Sequence, residues 1–104
     1  MSHLSPLLKQ SSNVCVEHGE GAWLYDTDGQ AYLDFTSGIG VTGTGHCHPT
    51  VVKAAQEQVG KVIHAQYTTV THDPMLKLTD RLVEKMPKGI DSVAFADSGS
   101  EAVE

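Results

Sequence analysis

Residues 95–104 read Phe-Ala-Asp-Ser-Gly-Ser-Glu-Ala-Val-Glu, FADSGSEAVE. The run SVAFA before the serines, Ser92–Ala96, predicts a short strand of the buried type, Ser98-Gly99-Ser100 a turn, and Glu101 onward the first residues of a helix. A strand that turns into a helix through small residues exposes N–H groups with no intrahelical partner at the positive end of a helix dipole. Ser98, Gly99 and Ser100 can therefore form a cup for an anion such as a phosphate. The same letters fit S-x-x-E, with Ser98 as an N-cap and Glu101 closing a capping box. The spacing serves both readings. Glu101 and Glu104 suit the dipole but oppose a phosphate unless the helix turns them away. No Walker lysine follows, so a nucleotide triphosphate is not indicated.

Working back from that turn, Asp73-Pro74 predicts a helix start, with Asp73 as cap and Pro74 at its first position. Met75, Leu78, Leu82, Val83 and Met86 form its apolar stripe, and Pro87-Lys88-Gly89 ends it. HAQYTTVTH, residues 64–72, is a polar loop. PTVVKAAQEQVGKVIH, residues 49–64, places Val51, Val52, Ala55, Val59 and Val62 on one helical face behind Pro49. Residues 14–35 predict a three-strand antiparallel meander: VCVEH, a GEG turn, AWLYD, a TDG turn, then QAYLDF. Asp28-Gly29 is the strongest signal in it, because glycine supplies the positive φ of a tight turn. Residues 1–13 predict a short helix at most, with Ser5 as N-cap and Pro6 following.

Between meander and helix, TSGIGVTGTGHCHP, residues 36–49, carries no hydrophobic period and is expected to be a loop with unusual backbone demands. Gly38-Ile39-Gly40-Val41-Thr42-Gly43 is a literal G-x-G-x-x-G, yet a dinucleotide fingerprint needs its last glycine to open a helix and an acidic residue ~20 positions later. Gly45, His46, Cys47 and His48 intervene instead, and the later positions are Ile63 and His64, so the dinucleotide reading is rejected. His46-Cys47-His48 offers zinc-ligand types, but neither C-x-x-C nor H-x₃-H spacing. Loop histidines that hydrogen-bond and fix the start of the next helix are the favoured reading, and no metal is expected.

The 104 residues make one domain at most, and 39% hydrophobic content permits a core that rests on aliphatic residues, since only 6% are aromatic. The net charge of −6, with only 7 Lys plus Arg and no basic run, argues against nucleic acid as a partner. Cys15 and Cys47 lie far apart, so a reducing compartment and no disulfide are expected. MSHLSPLLKQSSN is not a secretory signal, and no window approaches the ~20 apolar residues of a membrane span. The expectation is a soluble, cytoplasmic chain.

GEGAWLYDTDGQAYLDFTSGIGV (19–41), GTGHCHPTVVKAAQEQ (43–58) and FADSGSEAVE (95–104) stand in the order and at the spacing of class III pyridoxal-phosphate aminotransferases, the group of 4-aminobutyrate, ornithine and acetylornithine aminotransferases. The chain resembles the N-terminal part of that family over residues 19–104. The resemblance implies an α/β fold, α+β within this segment. Residues 1–72 would form an N-terminal small-domain segment, and residues 73–104 the start of a fold-type-I large domain that binds the cofactor.

It also implies that pyridoxal 5'-phosphate is held by Ser98, Gly99 and Ser100 through backbone N–H groups. Ser37, Gly38 and Ile39 would line the amino-donor end, and Tyr67 and Thr68 would border the site near a homodimer interface. The implied reaction moves an amino group from an ω-amino acid or similar donor to a 2-oxo acid. A lysine holds the cofactor covalently and then moves a proton, while the ring acts as an electron sink. No lysine here (Lys9, Lys53, Lys61, Lys77, Lys85, Lys88) stands in the matching context. The expectation is therefore a fragment without catalytic residues of its own, inactive alone. Two other readings stay open: a non-catalytic phosphate-binding module, and a metal module on His46, Cys47 and His48.

Overall fold

In the computed structural model, which describes residues 3–7 and 9–104, the sheet is organised around one carboxylate. Asp26 is the single buried residue among those described, at 8% exposure. Its Oδ1 accepts from the N–H groups of Asp28 at 3.0 Å and Gln30 at 2.8 Å, and its Oδ2 accepts from the Tyr32 hydroxyl at 2.9 Å. An aspartate that bonds the backbone two and four residues ahead folds the chain back on itself, and Gly29, at φ 81, completes the reversal. The Asp28-Gly29 turn is thus where the sequence places it.

The meander follows from that turn. Strands β1 (Val16–Glu20), β2 (Trp23–Asp26) and β3 (Ala31–Leu33) form an antiparallel sheet in the order β1-β2-β3. Glu20 pairs with Trp23 and Trp23 with Leu33, while an irregularity between Val16 and His18 shifts the register. Two expectations are corrected here. Val14 lies outside β1, because the alternation read from Val14 to His18 is broken by that bulge. Gly19 and Glu20 belong to the strand, so the first reversal falls at Gly21-Ala22, where Gly21 has φ 57.

The chain divides into two units, Met1–Lys61 and Val62–Glu104. In the first, the sheet is followed by a single turn α1 (Ser37–Gly40) and by helix α2 (Pro49–Val59). Pro49 opens α2, and the His48 ring nitrogen accepts from Thr50 N–H at 3.3 Å as its cap. Gly60 stops the helix, so Val62 falls outside the expected stripe. Of the short helix expected in 1–13, residues 1, 2 and 8 lie outside the described residues. The described residues of that stretch form no helix, and Leu7 N–H donates to the Ser5 hydroxyl at 3.3 Å.

The second unit holds α3 (Asp73–Val83) and α4 (Gly99–Val103). The N-cap of α3 is His72 rather than Asp73, whose carboxylate instead accepts from Lys77 Nζ at 2.7 Å, and Met86 lies beyond the helix end. The strand expected over Ser92–Ala96 is absent: the segment forms no ladder. A strand exists only through cross-strand bonds, and no described segment pairs with this one. Among the described residues no hydrophobic side chain is buried.

Candidate functional site

The glycine-rich loop takes an unusual course. Ser37 (φ 50), Gly38 (φ 58), Ile39 (φ 65) and Gly40 (φ 76) all lie in the left-handed region. They close a single left-handed turn through bonds from Ile39 N–H to Thr36 O at 2.8 Å and from Val41 N–H to Ser37 O at 2.9 Å. Glycine enters this region freely, but each L-residue with a Cβ costs about 1–2 kcal/mol there. Ser37 and the β-branched Ile39 both bear that cost. Ile39 is 89% exposed and Phe35 90%, so the turn presents apolar side chains outward. The sequence leads one to expect a loop with unusual backbone demands over Ser37, Gly38 and Ile39, and the structure gives it the form of a left-handed turn.

Asp34 and His46 hold the turn. Asp34 Oδ1 accepts from the N–H groups of Thr36 at 3.0 Å and Ser37 at 2.9 Å, and Asp34 Oδ2 accepts from His46 Nε2–H at 2.8 Å. These bonds, the Ser37 N–H first and the His46 ring second, hold the Asp34 carboxyl below its ordinary 3.8, against an opposing effect of burial. His46 is fixed to β1's end by a pair of backbone bonds with Gly21, at 3.0 and 2.7 Å. Two glycines make that meeting possible. A Cβ on Gly19 would come within 2.8 Å of the His46 ring, and one on Gly45 within 2.8 Å of the Gly21 carbonyl oxygen. Neither Asp34 nor Asp26 is singled out by sequence reasoning, although Asp two residues before Thr36 and the D-T-D-G run are both Asx-turn patterns.

His48 caps α2 and His46 is engaged with Asp34, which matches the favoured reading of the loop histidines. Among the described residues no three His, Cys, Asp or Glu side chains gather where they could hold a metal. Cys15 and Cys47 are free and exposed.

In the second unit, Ser98 is extended at φ −147, and its hydroxyl accepts from Glu101 N–H at 3.2 Å. The N-cap reading therefore holds. Glu101 does not close the box on Ser98: its Oε2 accepts from Asp97 N–H at 2.9 Å, one residue earlier. The Gly99 and Ser100 N–H groups have no hydrogen-bond partner among the described residues, and the space where a Gly99 Cβ would stand has nothing within 4 Å. Capping uses one lone pair of Ser98 Oγ and the Glu101 N–H, and leaves the Gly99 and Ser100 N–H groups out of it.

Tyr67 and Thr68 lie in a turn closed by bonds from Thr69 and Val70 N–H to Gln66 O at 2.9 and 3.0 Å. Tyr67 lines a cavity of about 560 Å³ with His64, His72, Phe95, Asp97 and Glu101. The structure thus brings Tyr67 to the flanks of the Ser98–Ser100 turn. Ser37, Gly38 and Ile39 belong to the first unit, and Tyr67, Thr68 and Ser98–Ser100 to the second.

The family described as aminotransferase class-III matches residues 7–104. Acetylornithine aminotransferase of Methanocaldococcus jannaschii is 45% identical over 93 residues, 88% of this chain and 22% of that protein. The crystal structure of adenosylmethionine-8-amino-7-oxononanoate aminotransferase from the same organism superposes with a TM-score of 0.83 at 33% identity, over 89% of this chain and 21% of that one. The omega transaminase of Pseudomonas jessenii, solved in complex with PMP, gives 0.78 at 27% identity, over 92% and 23%. The chain spans about a fifth of the length of the curated relatives it matches.

Proposed function

The chain belongs to the class-III aminotransferases, and from that premise we propose that it supplies the phosphate cradle and the amino-donor turn of a pyridoxal-phosphate transaminase. The reaction would move an amino group from an ω-amino acid or similar donor to a 2-oxo acid. One observation carries the reading: the Gly99 and Ser100 N–H groups have no partner among the described residues at a Ser98-capped helix start, with open space over Gly99. That arrangement fits a phosphate monoester, which asks for backbone donors and close approach. The Ser98 and Ser100 hydroxyls add donors, and Glu101 is drawn off toward Asp97 N–H.

When bound, pyridoxal phosphate would supply an electron sink for the donor's α-proton chemistry. The residues of this chain would anchor and orient it. Ser37, Gly38 and Ile39 would bound the amino-donor side, their left-handed turn turning Ile39 outward for apolar contact. Tyr67 and Thr68 would border the pocket. Within the whole enzyme, residues 1–72 would belong to the small domain and 73–104 to the start of the cofactor domain. A cytoplasmic homodimer is the assembly we propose. Among the described residues no helix is long and apolar enough to cross a membrane.

The test is a titration of the full chain with pyridoxal phosphate, followed through the ligand's ³¹P signal and the Gly99 and Ser100 amides. Those amides should shift, and Gly99→Val should weaken binding at least tenfold. Each charge-assisted bond lost costs about 1.5–3 kcal/mol. Unchanged affinity in the valine variant removes the phosphate assignment.

A further inference from the structure

A left-handed turn containing Ser37 and Ile39 does not persist through its own sequence, because both residues favour negative φ. Something outside the turn must hold it. We propose that Asp34 and His46 form a positioning clasp that sets the Ser37–Gly40 turn in its left-handed form and fastens it to the end of the β1–β2 hairpin. Four observations carry this. The Asp34 carboxylate accepts three bonds at once: Thr36 and Ser37 N–H on one oxygen, at 3.0 and 2.9 Å, and His46 Nε2–H on the other, at 2.8 Å. The Asp34 side chain is 7% exposed, so water competes little for those bonds. His46 is immobilised by its paired backbone bonds with Gly21. Its ring lies against Gly19, where any Cβ would stand 2.8 Å from it.

The two carboxylate oxygens divide the work. Oδ1 gathers the Thr36 and Ser37 N–H groups at the entry to the turn, which fixes the orientation of the peptide from which the left-handed run begins. Oδ2 ties that assembly to an imidazole that belongs, by its backbone, to the hairpin. Asp34 and His46 are positioning residues: neither is proposed to touch a substrate. The consequence for an amino donor, that Ser37, Gly38 and Ile39 stand in one fixed orientation, rests on the functional reading above; the clasp itself does not.

The variants separate the two oxygens. Asp34→Asn keeps an acceptor for Thr36 and Ser37 but presents an NH₂ group to His46. The imidazole should respond by moving its proton from Nε2 to Nδ1, which ¹⁵N shifts of the ring report. His46→Gln keeps a donor and should preserve the turn; His46→Ala should not.

The measurement is NMR on the full chain. At positive φ the intraresidue HN–Hα distance is short, so Ser37 and Ile39 should give strong intraresidue NOEs. Those should fall by at least half in Asp34→Ala and in His46→Ala, and be restored in Asp34→Asn and His46→Gln. Cross-strand NOEs between Leu24 and Tyr32 report whether the hairpin remains folded. Undiminished Ser37 and Ile39 NOEs in Asp34→Ala with the hairpin intact would overturn the proposal. If a variant loses the hairpin, the unmodified chain decides: a through-bond coupling from the Ser37 amide nitrogen to the Asp34 carboxyl carbon is required, and its absence overturns the clasp. None of these signals depends on pyridoxal phosphate, so a failed cofactor titration leaves the clasp standing and a failed clasp leaves the phosphate cradle standing.

Discussion

Substituting alanine at Gly45 should open the junction between the glycine loop and the hairpin, and three glycines in one loop let its two causes be separated. Gly45 has φ 76, and its Cβ would stand 2.8 Å from the Gly21 carbonyl oxygen and 3.2 Å from Gly21 Cα. Both are backbone atoms of Gly21, whose N–H and carbonyl oxygen make the paired bonds to His46, so they cannot rotate aside. The left-handed backbone costs an alanine about 1–2 kcal/mol. Forcing a methyl into occupied space adds about 1–3 kcal/mol. The sum is about 2–5 kcal/mol, a large share of the ~5–15 kcal/mol that stabilises a small domain. Gly40 has the same φ of 76 with nothing within 4 Å, so Gly40→Ala should bear the backbone cost alone. Gly43 has open space and no positive φ, so Gly43→Ala should be neutral or stabilising by about 0.4–1 kcal/mol through the unfolded chain. Urea unfolding followed by the fluorescence of Trp23, the chain's single tryptophan, ranks the three. Hydrogen exchange at the His46 amide gives the local effect, expected to rise at least thirtyfold in Gly45→Ala at about 1.4 kcal/mol per decade. If Gly45→Ala is no worse than Gly40→Ala, the close approach of Gly45 to Gly21 plays no part in stability and the reasoning fails.

The two structural carboxylates should set an acid limit. Asp26 is held below its ordinary 3.8, first by the Gln30 N–H and further by the Tyr32 hydroxyl, and Asp34 below 3.8 by Ser37 and His46. A depressed carboxyl contributes stability that is complete above its unfolded value and is lost as pH falls through the folded one, so the hairpin turn and the loop should loosen only below pH 3.8. Tyr32 is raised above 10.0 by its bond to Asp26, so its contribution is complete below 10.0 and fades as pH rises through the higher folded value. Carboxyl ¹³C titrations should show both midpoints below 3.8, and Tyr32→Phe should move that of Asp26 upward; midpoints at or above 3.8 refute it. The isolated chain should self-associate or bind hydrophobic dyes, because α2 and α3 carry apolar stripes while no described hydrophobic residue is buried. A sharp melt of a monomer, independent of concentration, counts against this.

What the sequence determined by itself is local. Asp28-Gly29 makes its turn, Pro49 behind His48 starts α2, and Ser98 caps α4, because each signal and its effect lie within four residues. The fold class and the family follow from the same short-range patterns taken in order. The left-handed turn at Ser37–Gly40 could not be read there, since Ile39 by its own preference belongs at negative φ. It exists because Asp34 meets His46, twelve residues on, and because Gly19 and Gly45 leave room for that meeting. The strand expected at Ser92–Ala96 failed for the complementary reason: its residues favour extension, but a strand is completed only by a neighbour's hydrogen bonds, and none of the described segments supplies them. Contacts between distant segments are decided by the space and the donors that folding brings together, and only the tertiary structure holds that information.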